Sequence, residues 1–302
     1  MKCLWVSFFA VSLFFSDISY GQEVAISIDD APHDHSPTML RPDRLSKIIH
    51  GLQKSGVEEA IFFVVGERID NAGRKDLIRY AKAGHLISNH TFSHRHPDKM
   101  GAKAYIQDIQ KNDEIIRHLP NFVPLFRYPF LDQGKSSETR HQIKKALDKL
   151  NYKIGYVSID TADWDLNEQY ESAITTGKKG NLDQLRDVYI SILWEASQFY
   201  EKRAQGLVGR PVKHVLLLHE NALLALFLND LINHYKKNGW KIIRASDAFN
   251  DPIYSRMPEV DKDSSDSILN QLAREKVFPE PYSSLAEKHD EVTKRFQATL
   301  LR

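Results

Sequence analysis

Short apolar runs alternate along the chain with longer stretches whose apolar residues recur every three or four positions. Glu23 to Ile28, Ala60 to Val65, His85 to Asn89, a short run leading to Arg127, Lys153 to Ile159, Lys213 to Leu218 and Trp240 to Ile243 read as strands. Amphipathic spacing predicts helices over Arg41 to Lys54, Arg74 to Ala83, Ala102 to Leu119, Ser136 to Leu150, near Leu182 to Gln205, and from the sixth run to Lys237; Gly56 and Gly84 stand as stops after the first two. The stretch between Ile159 and Leu182 reads as a polar loop. Such alternation belongs to the α/β class, with parallel strands joined by helical crossovers, and the spacing fits a closed β/α barrel or an open doubly wound sheet. In either, polar residues that directly follow a strand lie on the functional face.

The two ends break this pattern. Lys2, an apolar run from Leu4 to Phe15 and then Ser19-Tyr20-Gly21 have the form of a cleavable signal peptide over residues 1–21, with a mature start near Gln22. The expectation is an exported protein, periplasmic or extracellular, with no stable membrane span after cleavage. From about Asn250, prolines 252, 258, 279 and 281 and dense charge predict a helical or partly disordered tail, residues 250–302. A single large domain is expected over residues 22–249.

Cys3, the only cysteine, falls in the signal segment, so a mature chain has neither disulfides nor thiolate ligands. Any metal must sit on His, Asp or Glu. Net charge is +1, with no strongly basic stripe, which argues against nucleic acid as a partner.

Five polar clusters close five of the strand-like runs. Asp29-Asp30 places two adjacent carboxylates pointing in different directions, so that one can bind a metal while the other works as a base. His90 and His94, four apart, share one face if a helix begins there, and with one Asp they make a two-His, one-carboxylate site with open positions. His94 and His96 could instead pair in an extended segment. Arg127, in Phe126-Arg127-Tyr128-Pro129-Phe130, can hold a carboxylate through a bidentate contact. Asp160 to Trp164 and Val215 to His219 complete the set, and an Asp beside a His fixes its tautomer and favours its charged form.

These clusters, in this order, resemble the five motifs of the polysaccharide deacetylase (NodB-homology) family, the family four carbohydrate esterases. The resemblance runs from about Glu23 to Phe249 and includes Phe62-Phe63-Val64-Val65-Gly66 and Gly84-His85. It implies a distorted β/α barrel and a hydrolase that removes acetyl groups from an N-acetylated polysaccharide or peptidoglycan sugar. By the same resemblance Asp29 is the base, Asp30, His90 and His94 hold one divalent metal, and Arg127 orients Asp29. The N–H of Phe130 supports the oxyanion, Asp163 tunes the acid His219, and Trp164, Leu217 and Tyr128 border the substrate pocket. The ligand types suit zinc, and also cobalt, nickel or iron.

Three positions depart from the family pattern. Ala31 stands where Gly is usual, which would strain a left-handed backbone. Leu131 follows Phe130 where Gly is common. His33, Asp34 and His35 form a second set of possible ligands in the loop after the first strand. The competing functions are the same site acting on a non-sugar amide (a formamide or cyclic amide) and a carbohydrate-binding protein without turnover.

Overall fold

A computed structural model describes residues 21–33, 36–178, 181–259, 265–276 and 289–300. Residues 1–20, which hold nearly all of the expected signal peptide, and Asp34 and His35 lie outside the described residues. Among those described, no helix is long and apolar enough to cross a membrane.

Among the described residues, seven strands form one parallel sheet: β1 (Glu23–Ala31), β2 (Ile61–Val64), β3 (Leu86–Asn89), β4 (Phe122–Phe126), β5 (Lys153–Ile154), β6 (Lys213–His219) and β7 (Lys241–Ile242). Their order is β5-β4-β3-β2-β1-β6, and β7 pairs with the start of β1. All the pairings are parallel. The sheet curls, because the chain leaving β5 bridges to β6 at Ile159–Leu216. Strands and surrounding helices thus make the distorted β/α barrel expected from the sequence. Helices cover the outer face and side chains fill the inner one, so a central strand such as Ile61–Val64 is apolar and wholly buried.

The helix Arg41–Lys54 has the bounds its periodicity predicts, and Gly56 and Gly84 take positive φ just beyond their helices. The fifth strand-like run is mostly not a strand: only Lys153–Ile154 pairs with β4. The expected polar loop before residue 182 is largely a helix, Asp163–Thr175. Its apolar stripe is thin (Leu166, Tyr170, Ala173), and Asp163, Asp165 and Asn167 are buried beside it, which hides the helical period.

The described tail holds a 3-10 turn at Pro252–Ser255 and two helices, Ile268–Glu275 and His289–Leu300. Ile268, Leu269, Leu272, Val292, Phe296 and Leu300 are buried in the core. Ile268 N–H donates to Val157 O at 2.8 Å and Gln133 Nε2 donates to Gln271 Oε1 at 2.9 Å, so this segment lies against the irregular wall between β5 and β6.

Candidate active site

The carboxyl ends of β1, β3, β4 and β6 converge. β1 and β6 pair with Ser27 beside Leu217 and Asp29 beside His219, which sets a base candidate and an acid candidate on neighbouring strands.

Asp30 turns away from its neighbour because its backbone, at the irregular end of β1, takes φ +71°. Its Oδ1 lies 3.1 Å from His94 Nε2 and 3.7 Å from His90 Nε2, and one ligand atom from each of the three residues falls within 4.8 Å of the others. Among the described residues these three form the one His/Cys/Asp/Glu group close enough to hold a metal. Burial, then the nearby His94, push the His90 imidazole well below its usual pKa and keep it neutral, while Asp30 is held well below the carboxylate range: burial opposes this, and His94 and Arg68 outweigh it. His90 Nδ1 lies 2.8 Å from the Arg127 carbonyl, an arrangement that places the proton on Nδ1 and leaves Nε2 as the donor atom. Asp30 Oδ1 is buried without an aligned hydrogen bond. A neutral imidazole, an ionised carboxylate and an unsatisfied oxygen fit a divalent cation with N/O preference.

The histidines do not meet on a helix. Residues 90–96 form an irregular turn in which Thr91 (φ +66°) and His94 (φ +50°) are left-handed. Its amides find side-chain acceptors instead of helical carbonyls. Thr91 N–H donates to Asn89 Oδ1 (2.9 Å), Phe92 and Ser93 N–H to Asp108 Oδ2 (3.0 and 2.9 Å), and His94 N–H to Thr91 Oγ1 (3.0 Å). His96 is drawn elsewhere: its Nδ1 is 2.8 Å from Asp132 Oδ2 and its ring stacks on Phe130 at 4.1 Å.

Asp29 is 2 % exposed. Burial raises its pKa to about 6 against the pull of Arg127 and His219. Arg127 Nη1 donates to Asp29 Oδ1 at 2.7 Å and also to Ser27 Oγ at 2.9 Å, while Nε donates to Gly155 O. One guanidinium nitrogen holds the carboxylate, not the bidentate pair expected, because the fork is divided among three acceptors. The guanidinium also lies over the Phe63 ring, 4.0 Å from its centroid. Asp29 Oδ2 is left 3.6 Å from His90 Nε2, beside the three-residue cluster.

His219 Nδ1 pairs with Asp163 Oδ1 at 2.7 Å, and its backbone N–H donates to Asp163 Oδ2 at 2.8 Å. Burial alone would lower the His219 pKa; the Asp163 carboxylate overrides it and holds it at about 9.

Other expected site residues divide. Trp164, in the first turn after Asp163, is 47 % exposed, and Leu217 is buried on β6. Phe130 is half exposed and, with Leu131, left-handed (φ +58° and +54°). Tyr128 is in the core, not the pocket: it is 3 % exposed, with its ring against Phe126 and Tyr105, because the chain turns at Pro129 only after it. Ala31 is not left-handed; that geometry falls one residue earlier, on Asp30. His33 stands outside the metal cluster, its N–H donating to Glu220 Oε2 (3.3 Å) and its carbonyl accepting from Arg44 Nη2 (2.6 Å). Sequence reasoning passed over this Arg44–Glu220 pair, which ties the β1 loop to the residue after His219, and also Ser27 and Arg68. Their partners are remote in the chain, and no local spacing marks them.

A family model described as polysaccharide deacetylase matches residues 19–154. The chain is 34 % identical over 163 residues to a peptidoglycan-N-acetylglucosamine deacetylase of Bacillus cereus, covering 53 % of this chain and 52 % of that protein. It is 25 % identical over 239 residues to a chitin deacetylase of Arthroderma benhamiae, covering 76 % and 52 %. The chain thus spans about half the length of these two relatives. Among solved structures, a peptidoglycan N-acetylglucosamine deacetylase superposes with a TM-score of 0.51 at 24 % identity, over 75 % of this chain and 87 % of that one. A family four pseudoenzyme from Bacillus anthracis gives 0.54 at 17 %, over 76 % and 66 %. Asp163 and His219 lie beyond the matched segment, and their place beside it comes from the fold. Residues 19–154 thus match the polysaccharide deacetylase family, and the chain shares the fold of a solved peptidoglycan N-acetylglucosamine deacetylase.

Proposed function

We propose that this protein is a metal-dependent hydrolase that removes acetyl groups from the amide nitrogen of an N-acetylated polysaccharide or peptidoglycan sugar. One observation carries the reading: the Asp30–His90–His94 cluster adjoins Asp29 held by Arg127, and Asp29 pairs in register with His219 held by Asp163.

Asp30, His90 and His94 would hold a divalent cation, best zinc and otherwise cobalt, nickel or iron, which would supply Lewis acidity and lower the pKa of a bound water. Asp29, ionised above about 6, accepts a proton from the attacking water, whose oxygen adds to the amide carbon. Arg127 keeps that carboxylate aimed and charged. The Phe130 N–H, in its left-handed turn, supports the developing oxyanion. The C–N bond then breaks as His219, charged below about 9, gives a proton to the nitrogen, and acetate and a free amine result. That proton comes from Nε2, because Nδ1 is engaged by Asp163. Without it the tetrahedral adduct would expel water again. Trp164 and Leu217 wall the space for the acetyl methyl.

The similar fold of a pseudoenzyme makes the inventory of groups matter, and here the base, the acid and both of their partners are present. Binding alone requires none of them, which favours turnover over a carbohydrate-binding role. We assign the protein outside the cytoplasm, with intact mass of the native form expected to begin near Gln22. Acetate release by purified residues 22–302 from chitooligosaccharides and peptidoglycan fragments, with and without chelator, tests the activity. Release from simple formamides or cyclic amides, with none from any glycan, would replace this reading with the non-sugar amidase.

A further inference from the structure

We propose that Arg68 is a positioning residue for the metal site, acting through Asp30; the proposal rests on the metal reading above. Arg68 ends the turn Gly66–Arg68 that follows β2. This turn is bonded to the segments that carry the ligands. Val65 N–H donates to Ala31 O (2.9 Å), Gly66 N–H to Thr91 O (3.1 Å) and Glu67 N–H to Phe92 O (2.9 Å). The fit is close enough to demand glycine, since a Cβ on Gly66 would stand 2.5 Å from Asn112 Oδ1 and 2.8 Å from the Phe92 ring.

From that turn Arg68 reaches back to Asp30. Its Nη1 donates to the Asp30 carbonyl at 3.0 Å and lies 3.6 Å from Oδ2. The carbonyl bond matters because Asp30 has φ +71°, a conformation that side-chain-bearing residues rarely adopt and that persists only where its surroundings hold it. The second contact divides the carboxylate. Oδ2 faces the guanidinium, and Oδ1 is presented to His94 Nε2 and His90 Nε2. Arg68 is only 21 % exposed, so solvent screens the arrangement incompletely. Partners that orient a metal-ligating carboxylate typically change affinity by about 10–100-fold. A guanidinium near a cation also repels it, so the sign of the effect separates positioning from bare charge.

The test uses Arg68→Met, which keeps length and loses every donor, and Arg68→Lys, which keeps charge and loses the fork. Affinity for Co²⁺ is measured by chelator competition, the visible spectrum of the Co²⁺ form reports coordination, and the unfolding midpoint of the metal-free protein reports structure. Positioning predicts that Arg68→Met weakens Co²⁺ binding by about 10–100-fold, with an altered spectrum and a metal-free midpoint close to that of the unsubstituted protein; Arg68→Lys falls between. Equal or tighter Co²⁺ binding by Arg68→Met overturns the proposal, as does a lowered metal-free midpoint with unchanged affinity. If the unsubstituted protein binds no Co²⁺ or Zn²⁺, the metal reading fails and this inference with it. If it binds metal but releases no acetate, the deacetylase reading fails while the Arg68 comparison still decides.

Discussion

Asp163→Asn is the substitution whose effect follows most directly from the geometry. Asp163 faces the Nδ1 of His219 at 2.7 Å and its backbone N–H at 2.8 Å. Burial works the other way, yet that carboxylate, with smaller help from Asp30 and Asp29, raises the imidazole from 6.5 to about 9. That difference corresponds to roughly 3 kcal/mol in favour of the charged ring. An Asn amide can still accept the backbone N–H, but it then turns its NH₂ toward Nδ1, which can accept that bond only without its own proton. The charged form loses its largest partner and burial remains, so the pKa falls, with Asp30 and Asp29 still raising it. A fall all the way to the ordinary 6.5 would take the charged fraction at pH 8 from about 90 % to about 3 %, so protonation alone costs up to ~30-fold. The sign also predicts where activity returns. The basic limb of kcat/KM moves to lower pH, toward the acid limb set by Asp29 at about 6, leaving a narrow and low maximum. A bound cation favours ionised Asp29 and neutral His219, so in the loaded enzyme both limbs lie at or below these values. Acetate release from an N-acetylchitooligosaccharide, followed from pH 5 to 10 at verified metal content, measures both limbs. An Asp163→Asn basic limb that stays where the unsubstituted enzyme has it would refute the assignment of His219 as an acid tuned by Asp163.

Asp29→Asn should remove most turnover and keep the metal, because Asp30 supplies the carboxylate ligand; metal loss, read by elemental analysis, would mean that the two aspartates exchange roles. His219→Ala should lose far more activity on amides than on activated aryl esters, since a phenolate leaves unprotonated and an amine does not, and equal losses would count against the acid. Asp30→Ala, His90→Ala and His94→Ala should each abolish metal occupancy, whereas His96→Ala, whose ring rests on Phe130 and Asp132, should retain it; the opposite pattern would show the wrong ligand register. Leu131→Gly relieves a left-handed leucine (φ +54°) and should raise stability by roughly 0.5–1 kcal/mol once the greater chain entropy of glycine is subtracted; a lower unfolding midpoint would show that Leu131 packing outweighs the strain.

What the sequence disclosed depended on whether polar residues served their own segment or a distant one. β2 and the helix Arg41–Lys54 were legible because burial alone dictates their residues, which leaves an undisturbed period. The strand-end positions of Asp29, Asp30, Arg127 and His219 followed from the same periods. The turn joining His90 to His94 was not legible, since its amides are satisfied by Asn89 and by Asp108, which sits on a later helix, and nothing within six residues distinguishes it from a helix start. Asp163–Thr175 shows the effect most sharply. Asp163 serves His219, and Asn167 Oδ1 accepts the N–H groups of Ala222 and Leu223, which open the helix Ala222–Lys237 beyond β6. These polar groups are buried for partners more than 50 residues away, and they occupy positions where a free-standing amphipathic helix would carry Leu or Ile. The segment that carries the Asp163 carboxylate therefore looks least like a helix, so weak periodicity after a strand-like run is itself a sign of a site being built.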